Sequence, residues 1–96
     1  MRVPKSITIL GRKVTIKVGE NLVYHGQPCL GLFDYGKMTI YLEKNQSNHS
    51  MRDTLYHECC HYFMLLCGMD QKMSDSEVEM YCQLISAFVN DMKVIR

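Results

Sequence analysis

The pattern of hydrophobic and polar positions divides the chain into a β-type first half and an α-type second half. Four segments of residues 1–42 carry the alternating, β-branched pattern of strands. They are residues 7–10, 14–18, 29–33 and 37–42. The turn-forming residues Gly11-Arg12 and Asp34-Tyr35-Gly36 separate them in pairs. We therefore expect two β-hairpins, joined by an irregular loop over residues 19–28.

The second half carries apolar residues at helical spacing. It predicts a helix over residues 50–67, opened by Ser50 with Asp53 three positions on and stopped at Gly68. A second helix is predicted over residues 74–94, opened by Ser74 and Glu77 at the spacing of a capping box. Strands followed by two helices indicate the α+β class. We expect a small antiparallel sheet of two hairpins and two helices, in one domain of residues 1–96.

Composition and charge exclude several functional classes. The chain has 96 residues and a formal charge of +1, and its basic residues are scattered. This argues against a nucleic-acid surface. The longest apolar run, residues 62–67, is too short to span a bilayer, and no targeting segment is apparent. We expect a soluble cytoplasmic protein without a nucleic-acid or membrane partner. The five cysteines form no disulfide framework and are interpreted as reduced packing residues.

The strongest chemical signal is the segment His57-Glu58-Cys59-Cys60-His61. His57 and His61 are four residues apart on a predicted helix, so both imidazoles lie on one face and can reach one metal ion. Glu58 points about 100° away around the helix axis. In HExxH sites this offset places the carboxylate beside the metal-bound water, where it acts as general base. The alternative is a helix that carries two histidines with no metal. The mid-helix position and the apolar residues around it favour zinc.

The third zinc ligand should come from the second helix, which offers Glu77 and Glu79. An apolar stripe on that helix includes Val78, Tyr81, Cys82 and Ile85, and Glu77 lies on its edge. The periodicity places Glu79 on the opposite, solvent-facing side. Glu77 is therefore the predicted ligand, although it is also placed to close a capping box with Ser74.

Other residues are candidates for supporting roles. Asp53 precedes His57 by one helical turn and can accept its second ring N–H, or else complement the helix dipole. Several side chains are candidates for stabilising an oxyanion. These are Tyr56, Tyr62, Tyr81, His25 and His49, and the sequence alone does not choose among them.

Three segments together resemble a known family. They are residues 31–42 (GLFDYGKMTIYL), residues 54–61 (TLYHECCH) and residues 77–82 (EVEMYC). They look like the small HExxH zinc peptidases of phages and mobile elements, which are related to the ImmA/IrrE-type peptidases and the minimal gluzincins. The chain departs from that family in the two cysteines inside the motif and in lacking a helix before the sheet.

The resemblance implies a zincin-like minimal metallopeptidase fold. His57, His61 and Glu77 would then bind Zn²⁺, and Glu58 would be the general base. A peptide substrate would pair with the strand from Lys37 to Leu42. ImmA-type relatives cleave a repressor, which makes a regulatory protein a plausible substrate.

Three functions remain open on the sequence alone. The first is a zinc-dependent endopeptidase that acts on an intracellular, regulatory protein. The second is a zinc-stabilised, non-catalytic binding module, such as an antirepressor or an inhibitor of a host protein. The third is a structural zinc site with four protein ligands, one of them a cysteine.

Overall fold

The computed structural model describes the backbone of residues 3–95 and the side chains of residues 3–92. It confirms the α+β class. Six strands come first: β1 Ser6–Ile9, β2 Arg12–Gly19, β3 Val23–Tyr24, β4 Gln27–Pro28, β5 Gly31–Asp34 and β6 Thr39–Glu43. Helix α1 (Asn48–Leu66), a 3-10 turn (Met69–Gln71) and helix α2 (Asp75–Ile95) follow. Within this described part of the chain, neither helix combines the length and apolarity needed to cross a membrane.

The main sheet is mixed, whereas the sequence predicted a purely antiparallel one. Its strand order is β1-β2-β6-β5. Both predicted hairpins form, since β1 pairs with β2 and β5 pairs with β6 in antiparallel register. Strands β2 and β6, however, are parallel, with Ile16 opposite Ile40. A parallel pair needs a crossover of a dozen or more residues, and residues 20–38 supply it. The most buried strand, β6, thereby becomes central and β5 becomes an edge.

Two tight turns use backbone conformations with positive φ. The first hairpin turns at Leu10 (φ 47°) and Gly11 (φ 80°) instead of the predicted Gly11-Arg12. Positive φ at both central residues is the pattern of a two-residue hairpin turn whose twist matches the strands. His25 (φ 51°) and Gly26 (φ 76°) turn the small β3–β4 hairpin in the same way. The predicted irregular loop over residues 19–28 therefore contains a short hairpin.

The hydrophobic core lies between one face of the sheet and helix α1. The sheet contributes four buried side chains and the helix three. These are Val14, Ile16, Ile40 and Leu42, and Met51, Leu55 and Tyr62. A smaller cluster of Met64, Val78 and Cys82 joins α1 to α2. Helix α1 is thus held from both sides, which fixes the orientation of the HExxH segment.

The helix ends follow local capping chemistry. Helix α1 starts earlier than predicted because Ser47, and not Ser50, is its N-cap. The backbone N–H of Ser50 donates to the Ser47 hydroxyl. The predicted stop at Gly68 is confirmed by its left-handed backbone, with φ 73°. At the start of α2 the Ser74–Glu77 capping box forms in both directions.

Helix α2 docks through one edge of its apolar stripe together with small and polar residues. Its buried positions are Val78, Cys82, Ser86 and Asn90. The apolar side chains on the other side are 44–64% exposed: Tyr81, Leu84, Ile85, Phe88 and Met92. Asn90 is fully buried and tied to α1, since it accepts from Arg52 Nε at 3.2 Å and donates to the His49 carbonyl at 3.1 Å. The face of α2 that meets α1 therefore includes Val78 and Cys82 from the apolar stripe, but not Tyr81 or Ile85.

Glu43, at the end of β6, holds the connection between the sheet and α1. Its carboxylate accepts from the backbone N–H of Leu22 at 2.9 Å and of Asn45 at 3.1 Å. These backbone donors lower the pKa of Glu43 below its usual value of 4.5. Glu43→Gln should therefore destabilise the protein near neutral pH, because an uncharged amide is a weaker acceptor.

The pH dependence of this effect has a defined sign. A lowered folded-state pKa gives stability that is present above the unfolded pKa and lost as pH falls through the folded pKa. Urea unfolding at about pH 7 and about pH 3 should show the difference between wild type and Glu43→Gln shrinking in acid. The control is Glu20→Gln, which breaks an exposed ion pair with Lys44 and should change stability little. Equal effects of the two substitutions would contradict the assigned role.

Candidate metal centre

Three side chains from two helices converge on one point. His57 and His61 lie one turn apart on α1, and their Nε2 atoms are 3.1 Å apart. Glu79 of α2 reaches both of them, with Oε1 3.1 Å from His57 Nε2 and Oε2 2.9 Å from His61 Nε2. These residues form a group that can hold a metal ion.

The three contacts cannot all be hydrogen bonds. Each Nε2 carries either one proton or one lone pair. If both imidazoles donate to Glu79, two N–H groups face each other across 3.1 Å. A cation at the centre satisfies all three groups at once. Ligand atoms about 2.0–2.1 Å from a tetrahedral zinc ion lie roughly 3.3–3.4 Å from one another, close to the distances found here.

The group has the composition of an open metal site. It provides three ligands, and no cysteine within the described residues joins them. Burial raises the pKa of Cys59 to about 12, and this thiol packs against the core. Glu79 remains 48% exposed, so solvent reaches the centre. Three protein ligands with solvent access are typical of a catalytic site and not of a closed structural one.

The structure places Glu79, and not the predicted Glu77, beside the histidines. Glu77 is exposed, and its carboxylate accepts from the Ser74 backbone N–H at 3.1 Å in the capping box. The structure does not bring Glu77 to the histidines, because the centre of the apolar stripe, with Tyr81 and Ile85, is exposed and does not face α1. The buried face instead includes Cys82 and Ser86, three and seven residues after Glu79. This spacing brings Glu79 to the edge of the interface between the helices.

Glu58 lies beside the three ligands without joining them. Glu58 lines the same cavity as His57, His61 and Glu79. Burial raises the pKa of Glu58, and the nearby charge of Glu79 adds to this effect while His61 opposes it. A carboxylate with a raised pKa binds a proton more readily near neutral pH, as a general base requires. The predicted offset between ligands and base is therefore present.

The surroundings of His57 differ from the prediction in one respect. Burial lowers its pKa, against the opposing charge of Glu79, which favours the neutral imidazole that binds metals. Asp53 lines the cavity next to it. The Asp53 Oδ1 atom is buried, however, and makes no hydrogen bond. The predicted bond from the His57 ring to Asp53 is not formed through this oxygen.

The candidates for oxyanion stabilisation lie elsewhere. Neither Tyr56 nor Tyr81 lines the cavity, and Tyr81 belongs to the exposed side of α2. Tyr62 is buried in the core, His25 packs edge-on against Tyr24, and His49 contacts Asn90. Instead, Tyr35 lines the cavity and stacks on Phe33 with ring centroids 4.4 Å apart. Its place in the turn directly after β5 was the sequence signal that could have identified it.

The cavity in front of the metal ligands runs along strand β5. It has a volume of about 760 Å³, and Gly31, Leu32 and Phe33 of β5 form one wall. The sequence placed a peptide along the strand from Lys37 to Leu42. That strand, β6, pairs with β2 on one side and β5 on the other, so it has no free edge. Strand β5 is the edge strand beside the ligands.

Gly31 permits the close approach of α1 to β5 at the cavity wall. A Cβ atom at this position would overlap Thr54 Cγ2 and lie 3.5 Å from Glu58 Cγ. Gly31→Ala should therefore push α1 from the strand and destabilise the protein by about 1–3 kcal/mol. Chemical unfolding would measure this change.

Two further variants test whether the overlap with Thr54 causes the destabilisation. Gly36→Ala adds the same methyl group at a position where its nearest contact would be Asp34 Oδ1 at 3.4 Å, so it should have little effect. Thr54→Ser removes the obstructing methyl group and keeps the hydroxyl that donates to Gln46. Combined with Gly31→Ala, it should restore most of the lost stability. A double variant as unstable as Gly31→Ala would exclude this steric explanation.

Taken together, the site contains a three-ligand metal group, a buried carboxylate beside it and a cavity along a free strand edge. No family profile, curated protein or solved structure matches the chain. The function must therefore be inferred from the geometry of the site and from the resemblance in its motif.

Proposed function

We propose that this protein is a zinc-dependent endopeptidase with a minimal zincin-like fold, and that its substrate is an intracellular, regulatory protein. The observation that carries the proposal is the convergence of His57, His61 and Glu79, with Glu58 beside them. Two histidines and one carboxylate are a ligand set of catalytic zinc in peptidases. The ImmA/IrrE-type resemblance of the motif supports the choice of a regulatory substrate.

In this proposal the site residues have two roles, metal binding and proton transfer. His57, His61 and Glu79 would hold the zinc, which would supply Lewis acidity toward a water molecule and the scissile carbonyl. Glu58 would accept a proton from water and return it to the leaving amine. The raised pKa of Glu58 suits a group that must both accept and release a proton.

Strand β5 is the proposed substrate-binding element. Its outer edge offers unpaired backbone groups to an extended peptide, which would add as a further strand. The 760 Å³ volume of the adjoining cavity accommodates several residues. A peptide held there lies between the strand and the helix that carries Glu58.

A binding module without catalysis is the second candidate. The exposed apolar side of α2, with Tyr81, Leu84 and Phe88, favours it, because aromatic and aliphatic side chains are typical of protein-binding surfaces. In that case the metal would stabilise the fold, and the partner would be bound without being cleaved.

The test is a cleavage screen with the zinc-loaded protein. Peptide mixtures derived from a cellular proteome should yield defined cleavage products by mass spectrometry. Cleavage should stop on chelation and return when zinc is restored. Stoichiometric zinc without any cleaved peptide or protein would overturn the peptidase proposal and favour the binding module.

A further inference from the structure

A second cavity adjoins the metal centre on the side of the turn between the helices. Its volume is about 370 Å³, and it shares Tyr35, His61 and Glu79 with the larger cavity. Sites for small ligands span about 300–1,000 Å³, so a cavity of this size fits one side chain. Because it shares walls with the metal ligands, a side chain inside it belongs to a residue near the scissile bond.

The walls of this cavity combine apolar and acidic groups. Leu65 and Val78 are aliphatic and Tyr35 is aromatic, whereas Asp70 and Asp75 are acidic. Within the described residues, no lysine or arginine forms an ion pair with Asp70 or Asp75. One oxygen of Asp70, Oδ1, is buried and makes no hydrogen bond. Two carboxylates thus lie beside an apolar wall without an ion pair to any lysine or arginine whose side chain is described.

The lining of this cavity offers both kinds of group that a basic side chain contacts. Lysine and arginine bury an aliphatic stem against apolar surface and keep a charged head among polar groups. Leu65 and Val78 suit the stem, and the two aspartates suit the head. The negative charge is local to this cavity. The chain as a whole carries a formal charge of +1, so it does not attract basic peptides in general.

We propose that this second cavity is a specificity pocket for a lysine or arginine of the substrate, next to the bond that is cleaved. The inference rests on the proposed peptidase function for its meaning, but the pocket itself can be tested by binding. Asp70 and Asp75 are assigned as the residues that determine specificity.

The experiment measures binding of short blocked peptides to the zinc-loaded Glu58→Gln variant, which is expected to hydrolyse them at least about 100-fold more slowly than wild type. Each position of the peptide carries in turn arginine, lysine, norleucine or glutamate. Norleucine is the control for the aliphatic stem without the charge. At one position, arginine and lysine should bind about tenfold more tightly than norleucine, the size expected for a partly exposed charge-assisted contact.

Variants of the acidic residues identify the source of the preference. In the Asp70→Asn/Asp75→Asn protein, the tenfold preference should fall below about twofold. Asp91→Asn removes an exposed carboxylate from α2, the helix that carries Asp75, and should leave the basic preference unchanged. If the double variant does not fold, each single variant should reduce the preference, and added salt should weaken it in the parent protein.

The outcomes separate the two proposals. Norleucine binding as tightly as lysine at every position, or a basic preference that survives in the folded double variant, would overturn the pocket. A basic preference that depends on the aspartates, in a protein that cleaves nothing, would support the pocket while the peptidase function fails. Cleavage of peptides without any preference for a basic residue would support the peptidase function and overturn the pocket.

Discussion

Replacing Glu58 by glutamine is expected to remove peptide hydrolysis while leaving the bound metal in place. Glutamine has nearly the same shape but cannot accept a proton from water. Loss of a general base typically lowers the rate by about 10²–10⁴-fold. Glu58 is not part of the metal group, so zinc content should stay at one ion per chain.

The test compares kcat of wild type and Glu58→Gln on the peptide that is cleaved fastest in the screen. The zinc content of both proteins is determined in parallel. Asp91→Asn is the control for the loss of a carboxylate from the surface. A rate within tenfold of wild type would exclude Glu58 as the base. Unchanged biological activity in the same variant would favour the binding module.

Replacing Glu79 by glutamine is expected to weaken zinc binding, whereas the same change at Glu77 should not. Glu79 contacts both histidines, and its amide analogue is a much poorer ligand. We expect an affinity loss of at least about 100-fold, beyond the 10–100-fold typical for the loss of an outer partner. Competition with a coloured chelator measures the affinity of both variants.

Glu77→Gln is the matched control, two residues away on the same helix. It replaces the charged acceptor of the Ser74 N–H in the capping box by a neutral amide oxygen, which can still accept. Thermal stability should therefore fall only modestly. Its zinc affinity should equal that of wild type. The opposite result, with zinc lost from Glu77→Gln and retained by Glu79→Gln, would show that α2 turns Glu77, and not Glu79, toward His57 and His61.

The sequence predicted those features that depend on local chemistry. The two hairpins follow from alternation and turn residues, and the end of α1 follows from Gly68. The HExxH spacing needs only a helix to bring His57 and His61 together, so these two ligands were predictable without a tertiary fold.

The features that it missed depend on contacts between distant parts of the chain. The parallel pairing of β2 with β6 joins residues 24 positions apart, such as Ile16 and Ile40, and local alternation does not show it. Glu79 was missed because α2 meets α1 through Ser86 and Asn90, which no hydrophobic pattern marks as buried. The Arg52–Asn90 hydrogen bond explains how such polar positions are satisfied inside.

If zinc binds as proposed, the division of its ligands between two helices would link metal supply to the stability of the protein. Ser86 and Asn90 occupy half of the four buried positions of α2, so the small cluster of Met64, Val78 and Cys82 supplies the buried apolar contact between the described parts of the two helices. Only the folded chain brings Glu79 to the histidines, so a ligated ion adds its binding free energy to folding, about 2.7 kcal/mol at a free zinc concentration one hundred times Kd. When zinc is scarce, the unclamped helices would separate more often and expose the chain to proteolysis. The cellular level of this protein would then report zinc availability.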